Sequence, residues 1–205
     1  GLMIGVVSKN RLRVLAYHDI PESEEIAFMS HMTWLKENWN IVTPAEFEMM
    51  VLGKKPIIGN NVLITFDDGF LSNKLIAEKI LNPLGIQAIF FIISDFVEIK
   101  NRSESYKFAS NQIVPGSSIN NIPRNWENMQ WGDLASLIEQ GHTIGCHTKT
   151  HARLSECTSI DKLEMEIIRS AEKISHKLGV DTNHFAYTFG DIDSFSRDAL
   201  KVAKS

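Results

Sequence analysis

Three short stretches of the chain carry side chains suited to acid–base or metal chemistry. ITFDDGF sets Asp67, Asp68 and Gly69 directly after a short apolar, β-branched run. Adjacent ionised carboxylates repel, and burying both is costly unless a cation compensates. Side chains alternate in direction along extended backbone, so one Asp can face a metal and the other a water. GHTIGCHTKTHARL places His147 and His151 just after a second apolar run. Four positions apart, they fall on one face of a helical turn, where two imidazoles can meet one divalent ion. Asp68, His147 and His151 as ligands leave a coordination position open to water, the arrangement of a catalytic rather than a sealed structural site. RVLAYHDI ends an apolar, buried-looking strand on His18 and Asp19, a pair that belongs to proton or metal chemistry.

Each stretch has a plainer reading when taken alone. DDG also describes a polar turn whose Asp caps the next helix, and an isolated HxxxH is more often not a metal site. Their joint occurrence at strand ends favours the metal centre. An Asp-His-His donor set suits zinc, and also cobalt, nickel or iron. His31, His142, His176 and His184 read as ordinary packing or surface residues, and Cys146 as a small buried one. Trp34, Trp39, Trp126 and Trp131 read as core candidates, of which Trp126 and Trp131 could also stack on a sugar.

These residues need elements to position them. Short apolar runs alternate with helix-period segments, the pattern of βα units around a parallel sheet. Residues 24–39 place Phe28, Met32, Leu35 and Trp39 on one helical face. Thr43, Pro44 and Glu46 open a second helix with a capping box, and Gly53 ends it. VLITF (62–66) and QAIFFII (87–93) read as buried strands separated by a helix over 73–82. A helix over 131–140 leads to the strand before His147. A long helix over 160–178 sets Ile160, Leu163, Ile167, Ala171, Ile174 and Leu178 on one face, and HFAYTFG (184–190) follows as a sixth strand. The βα pattern predicts another strand after the last helix, so the end at residue 205 reads as a truncation. Residues 97–130, rich in Asn, Ser and Pro, read as an irregular insertion over one end of the sheet.

Composition narrows the classes. A chain of 205 residues, 43% hydrophobic and 22% charged, is expected to form one globular domain (1–205). A net charge of −4 with no basic stripe argues against a nucleic-acid partner. No apolar run reaches the roughly 20 residues of a membrane span. The N-terminal GLMIGVVSKNR has no signal-peptide core, which leaves a cytoplasmic or an envelope-associated location open. Two cysteines form no disulfide framework.

TFDDG followed about 75 residues later by HTKTH resembles the first two motifs of the polysaccharide deacetylases, carbohydrate esterase family four. The likeness runs from LAYHDI through TPAEF and VLITFDDGF to FAYTFG. It implies an α/β fold, a distorted (β/α)7 TIM-like barrel, acting on an N-acetylated carbohydrate with a divalent metal, usually zinc. It further implies Asp67 as the catalytic base and Asp68, His147 and His151 as metal ligands. The family's third motif often reads R-x-P-[YF], its Arg orienting the base and a backbone N–H after the Pro contributing to the oxyanion hole. The poly-N-acetylglucosamine branch tends to FAYPYG, and this chain has Phe185-Ala186-Tyr187-Thr188-Phe189-Gly190, with Thr188 in place of Pro. Tyr187 and the Phe189 amide are then the oxyanion and substrate candidates. The family's late strand ending in the acid His is missing after residue 190. That branch resembles a circular permutation that moves the strand to the N-terminus, which makes RVLAYHDI its carrier, His18 the general acid and Asp19 its supporting carboxylate. Two other readings stand beside this one: a catalytically silent carbohydrate-binding relative, and a metal-dependent amide or ester hydrolase acting on a nucleotide- or lipid-linked sugar.

Overall fold

The computed structural model describes residues 10–123 and 125–205. The N-terminal residues read above as lacking a signal-peptide core lie, up to residue 9, outside the described part. Strands β1 (Arg11–Tyr17), β2 (Asn40–Ile41), β3 (Asn60–Phe66), β4 (Ala88–Ile92) and β5 (Thr143–Cys146) form one sheet. Every pairing is parallel, in the order β1-β3-β4-β5, with β2 on β3. This is the expected α/β architecture. Among the described residues the sheet runs open from β1 to β5, so the barrel and its permutation remain expectations at this point.

Burial follows position in the sheet. β3 and β4 are covered on both faces and read as unbroken apolar runs for that reason. β1 lies at the edge instead, with Val14 49% exposed, so the buried-looking strand is half solvated. One face of the sheet, through Phe66, Phe90 and Ile144, packs on α1 (Glu25–Asn38), α3 (Leu71–Ile76), α6 (Trp131–Glu139) and α8 (Ile168–Leu178). α1 contributes Phe28, Met32 and Leu35 as its spacing requires, whereas Trp34, expected in the core, is 51% exposed. The other face, Leu63, Ile89 and Phe91, packs on Val42 and on Met50 of α2 (Pro44–Val51). The capping box at Thr43 forms in full. π-helical backbone over Ala77–Leu81 extends α3.

Three expected elements differ. The helix expected over 160–178 is broken at Ile167 into α7 (Ile160–Glu166) and α8, and Ile160 is 48% exposed rather than facing the core. The buried Cys146 thiol lies 3.7 Å from the Ile167 carbonyl at that break. HFAYTFG forms no strand: it touches the sheet through one bridge, Cys146 to Phe185. That approach depends on Gly145, where a Cβ would meet the Phe91 ring at 2.5 Å and the His184 carbonyl at 3.1 Å. The 97–130 insertion is not irregular. After α4 (Ser94–Val97) it holds α5 (Arg102–Phe108), and π-helical backbone continues α5 over Ala109–Ile113. Phe96, Ala109, Ile113 and Ile122 bury themselves against Phe70 and Ile93 in a second apolar cluster. That cluster seats the insertion over the C-terminal edge of the sheet. α9 (Arg197–Ala203) closes the described chain against α7.

Candidate active site

Parallel strands deliver their C-terminal ends to one edge, and there the predicted residues meet. β1 and β3 run in register up to Tyr17 opposite Phe66, and the Asp67 N–H donates to the Tyr17 carbonyl at 2.9 Å. His18 and Asp67 therefore leave adjacent strands side by side, with His18 Nε2 3.9 Å from Asp67 Oδ2. His18 is mostly exposed and Asp67 mostly buried. Burial pushes the Asp67 carboxyl up to about 6, against a counteracting pull from His18.

Asp68, His147 and His151 are all buried, and one ligand atom from each lies within 4.8 Å of the others. His147 Nδ1 is 2.9 Å from the Ala186 carbonyl, and His151 Nδ1 is 2.7 Å from the Gln112 carbonyl. A carbonyl only accepts, so both rings carry their proton on Nδ1 and present an Nε2 lone pair inward. Those nitrogens stand 3.6 and 3.5 Å from Asp68 Oδ1, a buried oxygen with no hydrogen-bond partner. With Asp68 ionised, three electron-pair donors converge with no hydrogen between them, which is the chemistry of a cation site. Burial holds both imidazoles down to about 4, hence neutral, and burial reinforced by Asp67 pushes Asp68 up to about 8.

The histidine pair does not sit on a helical turn, as its spacing had suggested. The segment 147–151 is irregular, with Thr148 at φ 66° and His151 at φ 62°. Asp68 (73°) and Phe189 (67°) are also left-handed, so all four non-glycine residues with positive φ among the described residues lie at or beside the site. Each is strained relative to ordinary backbone by about 1 kcal/mol or more, a cost that concentrates where geometry is functional.

The surrounding cleft, about 430 Å³, is lined by His18, Asp67, Asp68, His147 and His151 together with Phe70, Ile113, Val114, Trp126, Tyr187 and Phe189. No Lys or Arg lines it among the described residues. Phe189 N–H has no hydrogen bond to another described residue. Asp19, expected to support His18, makes no hydrogen bond or ion pair with the His18 side chain. Its carboxylate takes hydrogen bonds from Ser72 Oγ (2.6 Å), Asn125 Nδ2 (2.9 and 2.8 Å) and Trp126 Nε1 (3.0 Å), and so anchors the insertion. Asn73 Nδ2 holds the His18 carbonyl at 2.7 Å. Trp131 is not in the cleft: its indole donates to Glu98 at 3.2 Å. His142 packs locally as expected, near Asn82 and the Ala88 N–H.

Sequence reasoning missed the cleft wall of Phe70, Ile113 and Val114 and the carbonyls of Gln112 and Ala186. The wall was foreshadowed by the apolar residues scattered through 96–122, whereas a backbone carbonyl leaves no trace in sequence.

The polysaccharide deacetylase family model matches residues 54–205. YxkH of Bacillus subtilis (strain 168), which carries a polysaccharide deacetylase name, is 24% identical over 191 residues, 84% of this chain and 64% of its own length. This chain thus spans under two thirds of that relative. Among solved structures, IcaB from Ammonifex degensii superposes with a TM-score of 0.73 at 23% identity, covering 95% of this chain and 80% of that one. Streptococcus pyogenes deacetylase PplD, solved with acetate, gives 0.71 at 19% identity, covering 94% and 79%. At such identities the likeness speaks to the fold.

Proposed function

The chain belongs to the polysaccharide deacetylase family, and from that premise we propose that it is a metal-dependent hydrolase that removes N-acetyl groups from an N-acetylated sugar or polysaccharide, releasing acetate. The observation that carries the reading is the convergence of Asp68 Oδ1 with the two inward Nε2 atoms, beside a second carboxylate, Asp67, that stands outside that set. Asp68, His147 and His151 would hold a divalent ion, and their one-oxygen, two-nitrogen donor set is best matched by zinc. When bound, such an ion supplies Lewis acidity, polarising a carbonyl and making water more acidic.

The chain's own groups do the rest. Asp67, raised to about 6, is ionised at neutral pH yet basic enough to take a proton from the attacking water. The water oxygen bonds to the acyl carbon, and the Phe189 N–H meets the oxygen that gains charge. His18 gives a proton to the departing nitrogen as the C–N bond breaks, leaving acetate and a free amine. Its place beside Asp67, 3.9 Å away, supports that role, because acid and base then reach the same bound amide. Trp126 and Tyr187 on the cleft wall suit the apolar faces of a sugar ring.

We read the parallel sheet as the family's barrel and β1 as its permuted strand, since β1 brings His18 to the ends of β3 and β5 where a late strand otherwise would. The absence of cationic side chains from the described cleft wall weighs against a nucleotide-linked or pyrophosphate-linked sugar. The test is acetate release from N-acetylglucosamine oligomers with and without chelator, alongside elemental analysis. Metal-dependent release with one bound divalent ion is the expected result. Release that survives complete metal removal, or none from fully loaded protein, defeats the proposal.

A further inference from the structure

Phe189 raises a difficulty that the reaction alone does not answer. It is a bulky residue at φ 67°, and a non-glycine side chain in left-handed backbone persists only where its surroundings hold it, whereas Gly190, at 72°, adopts that region freely. The preceding Thr188 leaves the backbone without the fixed φ that a proline supplies. Something else must fix the turn.

The segment after His151 is placed to do so. Thr188 is fully buried, and its hydroxyl donates to the Ala152 carbonyl at 2.6 Å. The next residue, Arg153, sets its guanidinium carbon 4.4 Å from the centre of the Phe189 ring. Its Nη1 lies 3.1 Å from both Asp191 carboxylate oxygens. Ser155 Oγ donates to the Asp193 carbonyl at 2.5 Å. Side chains at 153, 155 and 188 thus stitch 152–155 to 188–193, with Phe189 at the centre. The Phe189 ring also meets the His151 ring, centroids 4.6 Å apart, so the clamp bears on both the oxyanion candidate and a ligand candidate.

We propose that Arg153 is a positioning residue: its guanidinium, fixed by Asp191, holds the Phe189 ring and thereby keeps the Phe189 N–H at the oxyanion position. A surface ion pair with Asp191 alone would contribute little. What gives this pair a task is the aromatic ring it is pressed against, which belongs to the left-handed residue itself. The inference rests on the deacetylase reading, and its test separates the two.

The full-length chain, loaded with zinc, is compared with Arg153→Leu, Arg153→Lys and Phe189→Leu, the last keeping the backbone amide. Loss of an oxyanion donor outright costs about 10²- to 10³-fold in kcat. Misplacing one by losing the clamp is expected to cost on the order of 10-fold in kcat, with KM and zinc content unchanged. Arg153→Lys keeps a cation over the ring and recovers part of the loss. Phe189→Leu reproduces the loss, and adding Arg153→Leu to it lowers kcat no further. Unchanged kcat in Arg153→Leu, a loss that tracks zinc content, or fully additive effects in the double variant each overturn the proposal. A crystal structure of Arg153→Leu decides it without any activity. Phe189 relaxed to negative φ upholds the clamp, and Phe189 still near 67° overturns it. An inactive wild-type protein counts against the reaction, not against the clamp.

Discussion

Asp68→Asn separates what Asp68 does for a metal from what it does to the fold. The change keeps the side chain's size and removes its charge. In chelator, burial and the neighbouring Asp67 hold the wild-type carboxyl up from 3.8 to about 8. An acid raised in this way keeps its proton in the folded chain while the unfolded chain releases it. Stability is therefore intact below pH 3.8 and is lost as pH climbs toward 8. His142, His147 and His151, held down to about 4, act in the opposite sense, adding stability as pH rises toward their ordinary 6.5. Asp67 shares the sign of Asp68 but has finished titrating above its raised value of about 6. Between pH 6.5 and 8 the histidines still finish titrating in the unfolded chain, but that change is common to wild type and Asn variant and cancels in their difference, which Asp68 sets. At about 1.4 kcal/mol per pH unit, the wild type loses about 2 kcal/mol relative to the Asn variant across that window, and at pH 7 the Asn variant is more stable by about 4 kcal/mol. Urea unfolding followed by circular dichroism in EDTA measures both. Zinc at about 1,000 times its Kd adds about 4 kcal/mol to the wild type alone and closes the gap. A variant less stable than wild type in chelator at pH 7, or a stability gap between the two that stays constant from pH 6.5 to 8, refutes the reasoning.

His18→Ala keeps its full zinc content and loses about 10²-fold or more in kcat; a kcat within twofold of wild type, measured by acetate release, removes His18 from the mechanism. Asp67 must be ionised to act, so kcat/KM falls as pH drops through about 6 or somewhat below once a cation sits beside it; a profile flat down to pH 4 excludes Asp67 as base. Asp19→Ala frees the Trp126 indole and Asn125 and leaves Ser72 unpaired, costing about 1–3 kcal/mol of stability. Its KM should rise more than its kcat falls, and the reverse split would place Asp19 in the chemistry. Gly145→Ala drives a methyl into Phe91 and is expected to lower stability by about 1–3 kcal/mol, read as a fall in Tm; an unchanged Tm would mean that the 184–186 segment is free to move away.

Features encoded by neighbours in sequence were legible. The capping box at Thr43, the buried run of β3 and the apolar face of α1 all formed as their spacing required. So did the meeting of Asp68 with the two histidines, because parallel topology sends every strand end to one edge. The shape of the 147–151 turn was not legible: left-handed Thr148 and His151 carry none of the glycine signals that mark such backbone elsewhere. HFAYTFG has strand composition, but its pairing is decided by Gly145 and Phe91 on other strands. The insertion lacks a period because its core is shared with Phe70 and Ile93 outside it, so no window within 97–130 contains the pattern. Asp19 pairs by sequence with His18, yet its partners are Ser72 on α3 and Asn125 and Trp126 in the insertion, none of them near it in sequence.

The tie between Asp19 and Trp126 joins residues 107 positions apart, and that separation governs how the molecule is made. Contacts between distant residues come late in folding, because loop-closure entropy must be met before they stabilise anything. During synthesis, at about 5–20 residues per second, β1 leaves the ribosome roughly 5–20 s before the indole that will hold it in place. β1 is unpaired only until β3 follows about 50 residues behind, roughly 2–10 s later, and from then until the indole arrives the turn at Asp19 lacks its tie to the insertion. The segment that carries His18 is thus among the first made and among the last to be fastened, its strand by β3 and its turn by the insertion.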